Sequence, residues 1–210
     1  MSSFQDLNLP TMMDTSDHDL VSDFFTPLLS NSVLYDRGVG FFSSGWLRIN
    51  CSGMVAFANN GGRARWVTSP ILDEADWEAL EAGNRARSDP ALHQVLEQNI
   101  TNLARTLERD TLSALAWMVA DGIITFKLAL PYEKLRQGDF HDKFGVFTDA
   151  QGNQVSFNGS YNDSGYSAYR FHCFVLVLCI PHLIEGFLQL VGFARHLHGV
   201  ELIDHDSRLW

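Results

Sequence analysis

The segment Phe140–Ser164 reads FHDKFGVFTDAQGNQVSFNGSYNDS. Within it, two runs rich in β-formers, 144–149 and 154–157, flank the turn sequence Ala150-Gln151-Gly152-Asn153. This pattern predicts a β-hairpin in which Gly152 supplies the positive φ that a tight turn requires. Because hairpin strands are neighbours in a sheet, we expect the polar residues that flank the hairpin to lie close together.

Those flanking residues have the chemistry of a phosphate site. His141 and Lys143 are two residues apart, so in an extended strand they project from the same face, and the same holds for Ser160 and Asn162. A lysine ammonium neutralises the non-bridging oxygens of a phosphodiester, while an imidazole can attack the phosphorus. The hydroxyl and amide across the hairpin can donate to the same phosphate. The spacing therefore predicts a compact phosphate cradle.

This arrangement resembles the signature of the phospholipase D superfamily, in which His-x-Lys and an Asp are followed by Gly-Ser-x-Asn. Within that superfamily, the segment is similar to bacterial nuclease-like domains found beside helicases in restriction and phage-defence systems. The resemblance covers about residues 15–166 and includes softer upstream similarities: Asp17-His18-Asp19-Leu20, Tyr35–Phe42 with Ser43-Ser44, and Val67-Thr68-Ser69-Pro70.

The resemblance implies metal-independent, cofactor-free phosphodiester cleavage in two steps through a phosphohistidine. Carried over position by position, His141 is the nucleophile, and Lys143, Ser160 and Asn162 hold the phosphate. Asp149 matches the motif aspartate, although five residues rather than the usual four separate it from Lys143, and a role in shaping the turn stays open. The catalytic set expected from the resemblance is thus His141, Lys143, Ser160, Asn162 and Asp149.

Two further residues are expected to contact the substrate, Gly159 and Arg37. For Arg37, an ion pair at a strand edge is an equally open interpretation. Relatives often carry an acidic residue soon after the motif asparagine, and residues 166–184 contain none. The family uses two motifs per active site, whereas this chain has one, so the resemblance also implies a homodimer with a shared site, since a two-fold axis brings the same patch of two subunits together.

Periodicity along the chain predicts an α/β protein, a phospholipase D-like mixed sheet flanked by helices on both faces. A strand in 32–42, a helix over 45–58 and a strand at 65–68 predict a parallel pair with a crossover helix. Residues 1–15 are interpreted as a loose leader and 16–210 as one domain, with 170–210 atypical, either divergent or truncated. The remaining predictions are helices over 17–30 (with Pro27 as a kink), 73–83, 90–108, 110–121 and 181–198, and strands over 123–130, 171–180 and 200–203.

The chain has 210 residues and a formal net charge of −10, which argues against a nucleic-acid binder that works by bulk positive charge. The negative charge is concentrated, however: residues 1–30 contribute −5 and 71–110 another −5, whereas 31–70 sum to +3 and 111–170 to −1. Three cysteines without a disulfide framework and no signal-like start favour a cytoplasmic protein. The uncharged run Phe171–Ile184 has 14 residues, too few to span a bilayer.

Together these features predict a metal-independent phosphodiesterase, a DNA nuclease or nuclease-like subunit of a bacterial defence or restriction system. The expected partners are nucleic acid, a second copy of the chain and a helicase, with no membrane. Two other classes stay open: a catalytically inactive module that binds nucleic acid or a partner in a helicase-containing complex, and a lipid or nucleotide phosphodiesterase.

Overall fold

A computed structural model describes residues 2–96, 102–131, 141–163, 174–180 and 200–204. Its strands are β1 (Met12–Asp14), β2 (Ser32–Val39), β3 (Arg63–Thr68), β4 (Ile124–Pro131), β5 (Lys143–Asp149), β6 (Gln154–Gly159), β7 (Phe174–Ile180) and β8 (Val200–Asp204). In the described ranges they form one mixed sheet in the order β1-β7-β6-β5-β2-β3-β4-β8. The helices are α1 (Thr26–Asn31), α2 (Gly45–Ile49), α3 (Cys51–Asn59), α4 (Glu74–Ser88), α5 (Pro90–Leu96), α6 (Leu103–Arg109) and α7 (Thr111–Ala120).

The centre of the sheet is parallel. Strand β2 pairs in parallel with β3, and β3 pairs in parallel with β4. The first crossover contains α2 and α3, and the second contains α4 to α7. Right-handed crossovers that step in one direction along a sheet place their helices on the same face, and α1 joins this layer by packing on α3. The predicted mixed sheet flanked by helices is confirmed; the helix predicted over 181–198 lies outside the described residues.

Some helices differ from the sequence expectation. The helix predicted over 17–30 is a π-helical turn, Val21–Phe25, that runs into α1, with Pro27 in the first turn of α1 where its missing N–H does no harm. The helix predicted over 45–58 divides into α2 and α3 at Asn50, whose buried side-chain amide donates to the carbonyl of Trp46 at 3.0 Å. Polar side chains that bond to the local backbone compete with helix continuation, which accounts for the break.

Aromatic side chains fill the space between the sheet and the helix layer. Tyr35 of β2 stacks on Phe147 of β5 with ring centroids 4.1 Å apart, and Trp46 of α2 meets Trp66 of β3 edge-on at 5.6 Å. Pairs of this kind contribute about 0.5–1.5 kcal/mol each beyond their buried area. Because side chains alternate along a strand, the face of β2 that carries Tyr35 also carries Arg37, which is therefore buried in this layer.

The N-terminal segment is not a loose leader. Phe4, in a short 3-10 turn, and Met13, in β1, are both buried, and β1 pairs antiparallel with β7. The prediction was wrong because three residues of strand and two apolar anchors are too little pattern to detect in a sequence. Two segments of the region called atypical, β7 and β8, are also part of the sheet, where they pair with β6 and β4.

Candidate active site

The predicted hairpin is present and sets the geometry of the cradle. Strands β5 and β6 pair antiparallel, with Phe144 opposite Asn158, and Gly152 in the turn has a φ of +85°. One step further along this register, Lys143 at the start of β5 lies across from Gly159 at the end of β6. Strand β5 is also antiparallel to β2, so the cradle lies at the carboxyl end of the parallel strands, the usual position of ligand sites in open α/β sheets.

The first half of the cradle combines an exposed imidazole with a buried lysine. His141 is exposed, whereas Lys143 is 8% exposed. The Lys143 ammonium donates to the backbone carbonyl of His141 at 2.6 Å, which holds the charge beside the residue that carries the imidazole. A cation in a partly desolvated position interacts with an anion more strongly than one in bulk water.

The second half of the cradle is the segment that follows β6. Ser160 and Asn162 are half-buried, while Tyr161 between them is buried and packs against Phe25 with ring centroids 5.2 Å apart. Burial of Tyr161 between two half-buried neighbours agrees with the predicted common direction of Ser160 and Asn162, which stays a prediction because both lie beyond the end of β6. The side-chain oxygen of Asn162 is buried without a hydrogen-bond partner among the described residues. An amide oxygen only accepts hydrogen bonds, so the group of Asn162 that could donate to a phosphate is its amide nitrogen.

Arg37 is not available to a substrate, and its predicted contact with phosphate was wrong. The side chain is 0% exposed, and its guanidinium forms an ion pair with Asp163 at 2.7 Å. Its remaining N–H groups donate to the backbone carbonyls of Gly38, Phe144 and Tyr161 at 3.2, 2.9 and 2.7 Å. A guanidinium has five N–H donors, and all five are engaged in these bonds. The ion-pair interpretation was correct, although the pair is buried rather than at a strand edge.

Asp149 lies at the opposite end of β5 from Lys143, about 20 Å away at the rise of an extended strand. Its carboxylate accepts hydrogen bonds from the backbone of Phe4, Gln151 and Asn153, as well as from the Asn153 side chain. Burial raises the pKa of this carboxyl, but these hydrogen bonds outweigh burial and hold its pKa below the ordinary value. The structure therefore separates Asp149 from the cradle and supports the turn-shaping role.

Sequence reasoning missed Asp163 and Trp66. Asp163 is fully buried, pairs with Arg37 and accepts a hydrogen bond from the Trp66 indole at 2.7 Å. The resemblance led us to expect an acidic residue soon after the motif asparagine, and residues 166–184 contain none. Asp163, directly after Asn162, is a candidate for this residue. Its position beside the motif was the available signal, but its partners lie 126 and 97 residues away and no local pattern points to them.

A cleft of about 430 Å³ lies close to the cradle. The backbone N–H of Ser43, in one wall, donates to the carbonyl of Asp163 at 2.7 Å. Arg48 and Arg109, both exposed, contribute positive charge to the walls, and the buried Asp76 accepts from the Ser44 N–H at 3.0 Å. Burial raises the pKa of Asp76 despite its hydrogen bonds to Ser44. The cleft walls thus combine two arginines with three carboxylates, Asp73, Asp76 and Asp110, and the Ser43–Asp163 hydrogen bond links one wall to the segment after β6.

The described residues contain neither a metal-ligand cluster nor a membrane-spanning helix. Within the described ranges, no three His, Cys, Asp or Glu side chains are grouped so that they could ligate a metal ion. None of the helices in the described part of the chain is both long and apolar enough to cross a bilayer.

Comparisons with known proteins show which solved structures have a similar architecture. No protein-family model and no curated protein sequence matches the chain. Among solved structures, it is similar to Nuc from Salmonella typhimurium, a phospholipase D family member, with a TM-score of 0.50 and 11% identity over 90% of this chain and 95% of that one. NucT from Helicobacter pylori aligns over 88% of this chain and 94% of its own, with a TM-score of 0.46 and 10% identity. At these identities the similarity is one of fold: the chain has a phospholipase D-like α/β fold.

Proposed function

We propose that the protein is a metal-independent phosphodiesterase that cleaves DNA through a phosphohistidine. The observation that supports this proposal is the position of four polar residues at the same end of two neighbouring strands. Lys143 is the first residue of β5 and His141 lies two residues before it, while Ser160 and Asn162 follow the end of the neighbouring β6. The fold shared with a phospholipase D family member supports the same chemistry.

In the first step, a neutral nitrogen of the His141 imidazole attacks the phosphorus and forms a P–N bond. The P–O bond to the leaving nucleoside breaks, and its oxygen takes a proton from a general acid. Lys143 and the donors Ser160 and Asn162 stabilise the charge that develops on the non-bridging oxygens. In the second step, water attacks the phosphorus, the P–N bond breaks, and the water proton returns to the base that earlier acted as acid.

The general acid is proposed to be His141 of a second protomer. The other histidines in the described residues, His18 and His93, lie outside the cradle: His18 lies near Asp23 at 3.9 Å, and His93 near Asp121 at 3.4 Å. Because His141 is exposed where the strand β5 begins, a two-fold axis beside it would bring two imidazoles to one phosphate. The proposed active form is therefore a homodimer with a shared site.

DNA is proposed as the substrate within a bacterial defence or restriction system, where a helicase partner would supply part of the DNA-binding surface. Arg48 and Arg109 in the walls of the cleft fit a polyanion that extends past the cleaved bond, while Asp73, Asp76 and Asp110 in the same walls oppose it. The net charge of −10 opposes tight binding by the isolated chain, so a second binding surface would raise the effective concentration of DNA at the site. A cytoplasmic location, predicted from the cysteines, agrees with this role.

The experiment that tests the proposal is DNA cleavage in excess EDTA by the wild type, His141→Ala and His93→Ala. His93→Ala is the matched control, since it removes a partly exposed histidine outside the cradle. We expect EDTA-resistant cleavage by the wild type and the control, and its loss in His141→Ala. Equal residual cleavage in all three proteins would contradict the proposal and favour a non-catalytic module that binds nucleic acid or a partner.

A further inference from the structure

A fully buried polar group formed by Arg37, Asp163 and Trp66 lies next to the cradle. Arg37 and Asp163 are 0% exposed, and Trp66 is 1% exposed. Removing two charges from water is costly, and a well-packed apolar replacement is often as stable as a buried ion pair. The stability of the fold alone therefore does not explain an ion pair at this position. The contacts of Arg37 and Asp163 indicate a different role.

The Arg37 guanidinium links the two halves of the cradle. One of its terminal nitrogens, Nη1, donates to the carbonyl of Phe144, the residue after Lys143, at 2.9 Å. The other, Nη2, donates to the carbonyl of Tyr161, the residue between Ser160 and Asn162, at 2.7 Å. Because the guanidinium is planar and rigid, these two bonds set the distance between the start of β5 and the segment after β6.

Asp163 fixes the orientation of that guanidinium. Its carboxylate accepts from Arg37 Nε at 3.0 Å and from Nη2 at 2.7 Å, and also from the Trp66 indole at 2.7 Å, which ties the pair to β3. Its backbone carbonyl accepts from the Ser43 N–H at 2.7 Å, which ties it to a wall of the cleft. Burial lowers the pKa of Arg37, but the charge of Asp163, its hydrogen bonds to Arg37 and the nearby Tyr35 and Tyr161 together raise the pKa above its ordinary value, so the guanidinium stays charged.

We infer that Arg37 and Asp163 are positioning residues, which hold Lys143 on one side and Ser160 and Asn162 on the other at the separation that a phosphate requires. This inference rests on the proposed function, since it assigns the pair to the geometry of the same site. The pair touches no reacting atom; it acts through the backbone of the residues that do. A displacement of about 1 Å in such groups can lower a reaction rate about 100-fold.

The test is Asp163→Asn, with Asp36→Asn as the matched control. Asp36 is also buried on β2 and pairs with an arginine, Arg65, whose Nη2 donates to it at 2.6 Å, but it lies on the other side of the strand from Arg37. Each variant is measured for thermal unfolding, for binding of inorganic phosphate by ³¹P NMR titration, and for kcat and KM of DNA cleavage. The phosphate titration needs no turnover.

We expect Asp163→Asn to lower kcat about 100-fold and to weaken phosphate binding, while Asp36→Asn loses stability without either change. Wild-type kcat and phosphate affinity in folded Asp163→Asn would overturn the inference, as would equal losses in the control. If Asp163→Asn does not fold, Trp66→Phe, which removes one donor to Asp163, is measured instead; smaller losses in kcat and phosphate affinity are expected, and wild-type values overturn the inference.

Failure of the proposed function gives a different pattern. If the wild type binds phosphate but cleaves no DNA, the function fails, and the phosphate affinity of Asp163→Asn relative to Asp36→Asn still decides the positioning role. If the wild type binds no phosphate, the cradle itself and the positioning role both fail.

Discussion

Two polar side chains at opposite ends of the hairpin show how differently single residues are used. Asn162 has a buried amide oxygen without a hydrogen-bond partner among the described residues. Asp149 is saturated instead, since its carboxylate accepts from Phe4, Gln151, Asn153 and Ser3.

Asp149 makes a pH-dependent contribution to stability that follows from this saturation. Because the pKa of Asp149 in the folded state lies below its ordinary value, its stabilising effect is complete above the unfolded-state pKa and is lost as the pH falls through the folded-state pKa. We expect Asp149→Asn to lower the free energy of unfolding by about 1–3 kcal/mol at pH 7. Chemical denaturation at pH 7 and at pH 3 measures this difference.

The loss caused by Asp149→Asn should shrink at pH 3, because this pH lies below the ordinary carboxyl pKa of about 3.9 that Asp149 has in the unfolded state. Asp110→Asn is the comparison variant. Hydrogen bonds from Ser113 also lower the pKa of Asp110, but this residue caps α7 and lies away from the Asp149 turn in the sequence. A loss that stays the same at both pH values would contradict the assignment. DNA cleavage by folded Asp149→Asn should match the wild type.

At the scale of elements, local signals were sufficient where the contact itself is local. The two runs rich in β-formers, 144–149 and 154–157, with Gly152 between them, predicted β5, β6 and their turn. The two-residue spacing in His141-x-Lys143 and Ser160-x-Asn162 predicted the cradle. These features involve neighbours in sequence, so propensity and period are enough to find them.

Features that depend on distant contacts were not predictable. The pairing of Arg37 with Asp163 spans 126 residues, and the hydrogen bond from Phe4 to Asp149 spans 145. Nothing in the local sequence distinguishes a buried arginine from one that contacts phosphate. The same limit explains why residues 1–15 were predicted to be loose, since their burial depends on β7 and on the Asp149 turn.

The hairpin turn gives a prediction at this scale. Gly152 has a φ of +85°, and an added Cβ would meet nothing within 4 Å, so a substitution there changes only the backbone conformational energy. We expect Gly152→Ala to lower the free energy of unfolding by about 1–2 kcal/mol and Gly152→Asn by less, because asparagine tolerates positive φ. Equilibrium denaturation of the two variants measures the order, and a Gly152→Asn loss equal to or above that of Gly152→Ala would contradict it.

At the scale of the whole molecule, the distribution of charge matters more than its sum. Of the net −10, residues 1–30 and 71–110 account for −5 each, while 31–70, which carry Arg37, Arg48, Arg63 and Arg65, sum to +3. Arg37 is buried in an ion pair and does not meet DNA, whereas Arg48 and Arg109 in the cleft walls are exposed cations that can. We therefore expect weak, salt-sensitive binding by the isolated chain.

A shared site predicts a distinctive response to subunit mixing. If each site needs His141 from both protomers, a heterodimer of wild type and His141→Ala is inactive. After exchange in an equal mixture, about one quarter of the dimers are fully wild type, so activity per wild-type chain falls to about half. Activity that stays proportional to the wild-type chains, or a protein that light scattering shows to be an active monomer, would contradict the dimer.

The most direct measurement is the capture of the covalent intermediate. Wild-type protein is mixed with DNA in EDTA, quenched in alkali, where a phosphoramidate P–N bond survives better than in acid, and digested for mass spectrometry. The account predicts a nucleotide or phosphate adduct on His141, absent from His141→Ala and retained in His93→Ala. Cleavage of DNA by the wild type with the adduct on another residue, or cleavage that EDTA abolishes, would contradict the central claim.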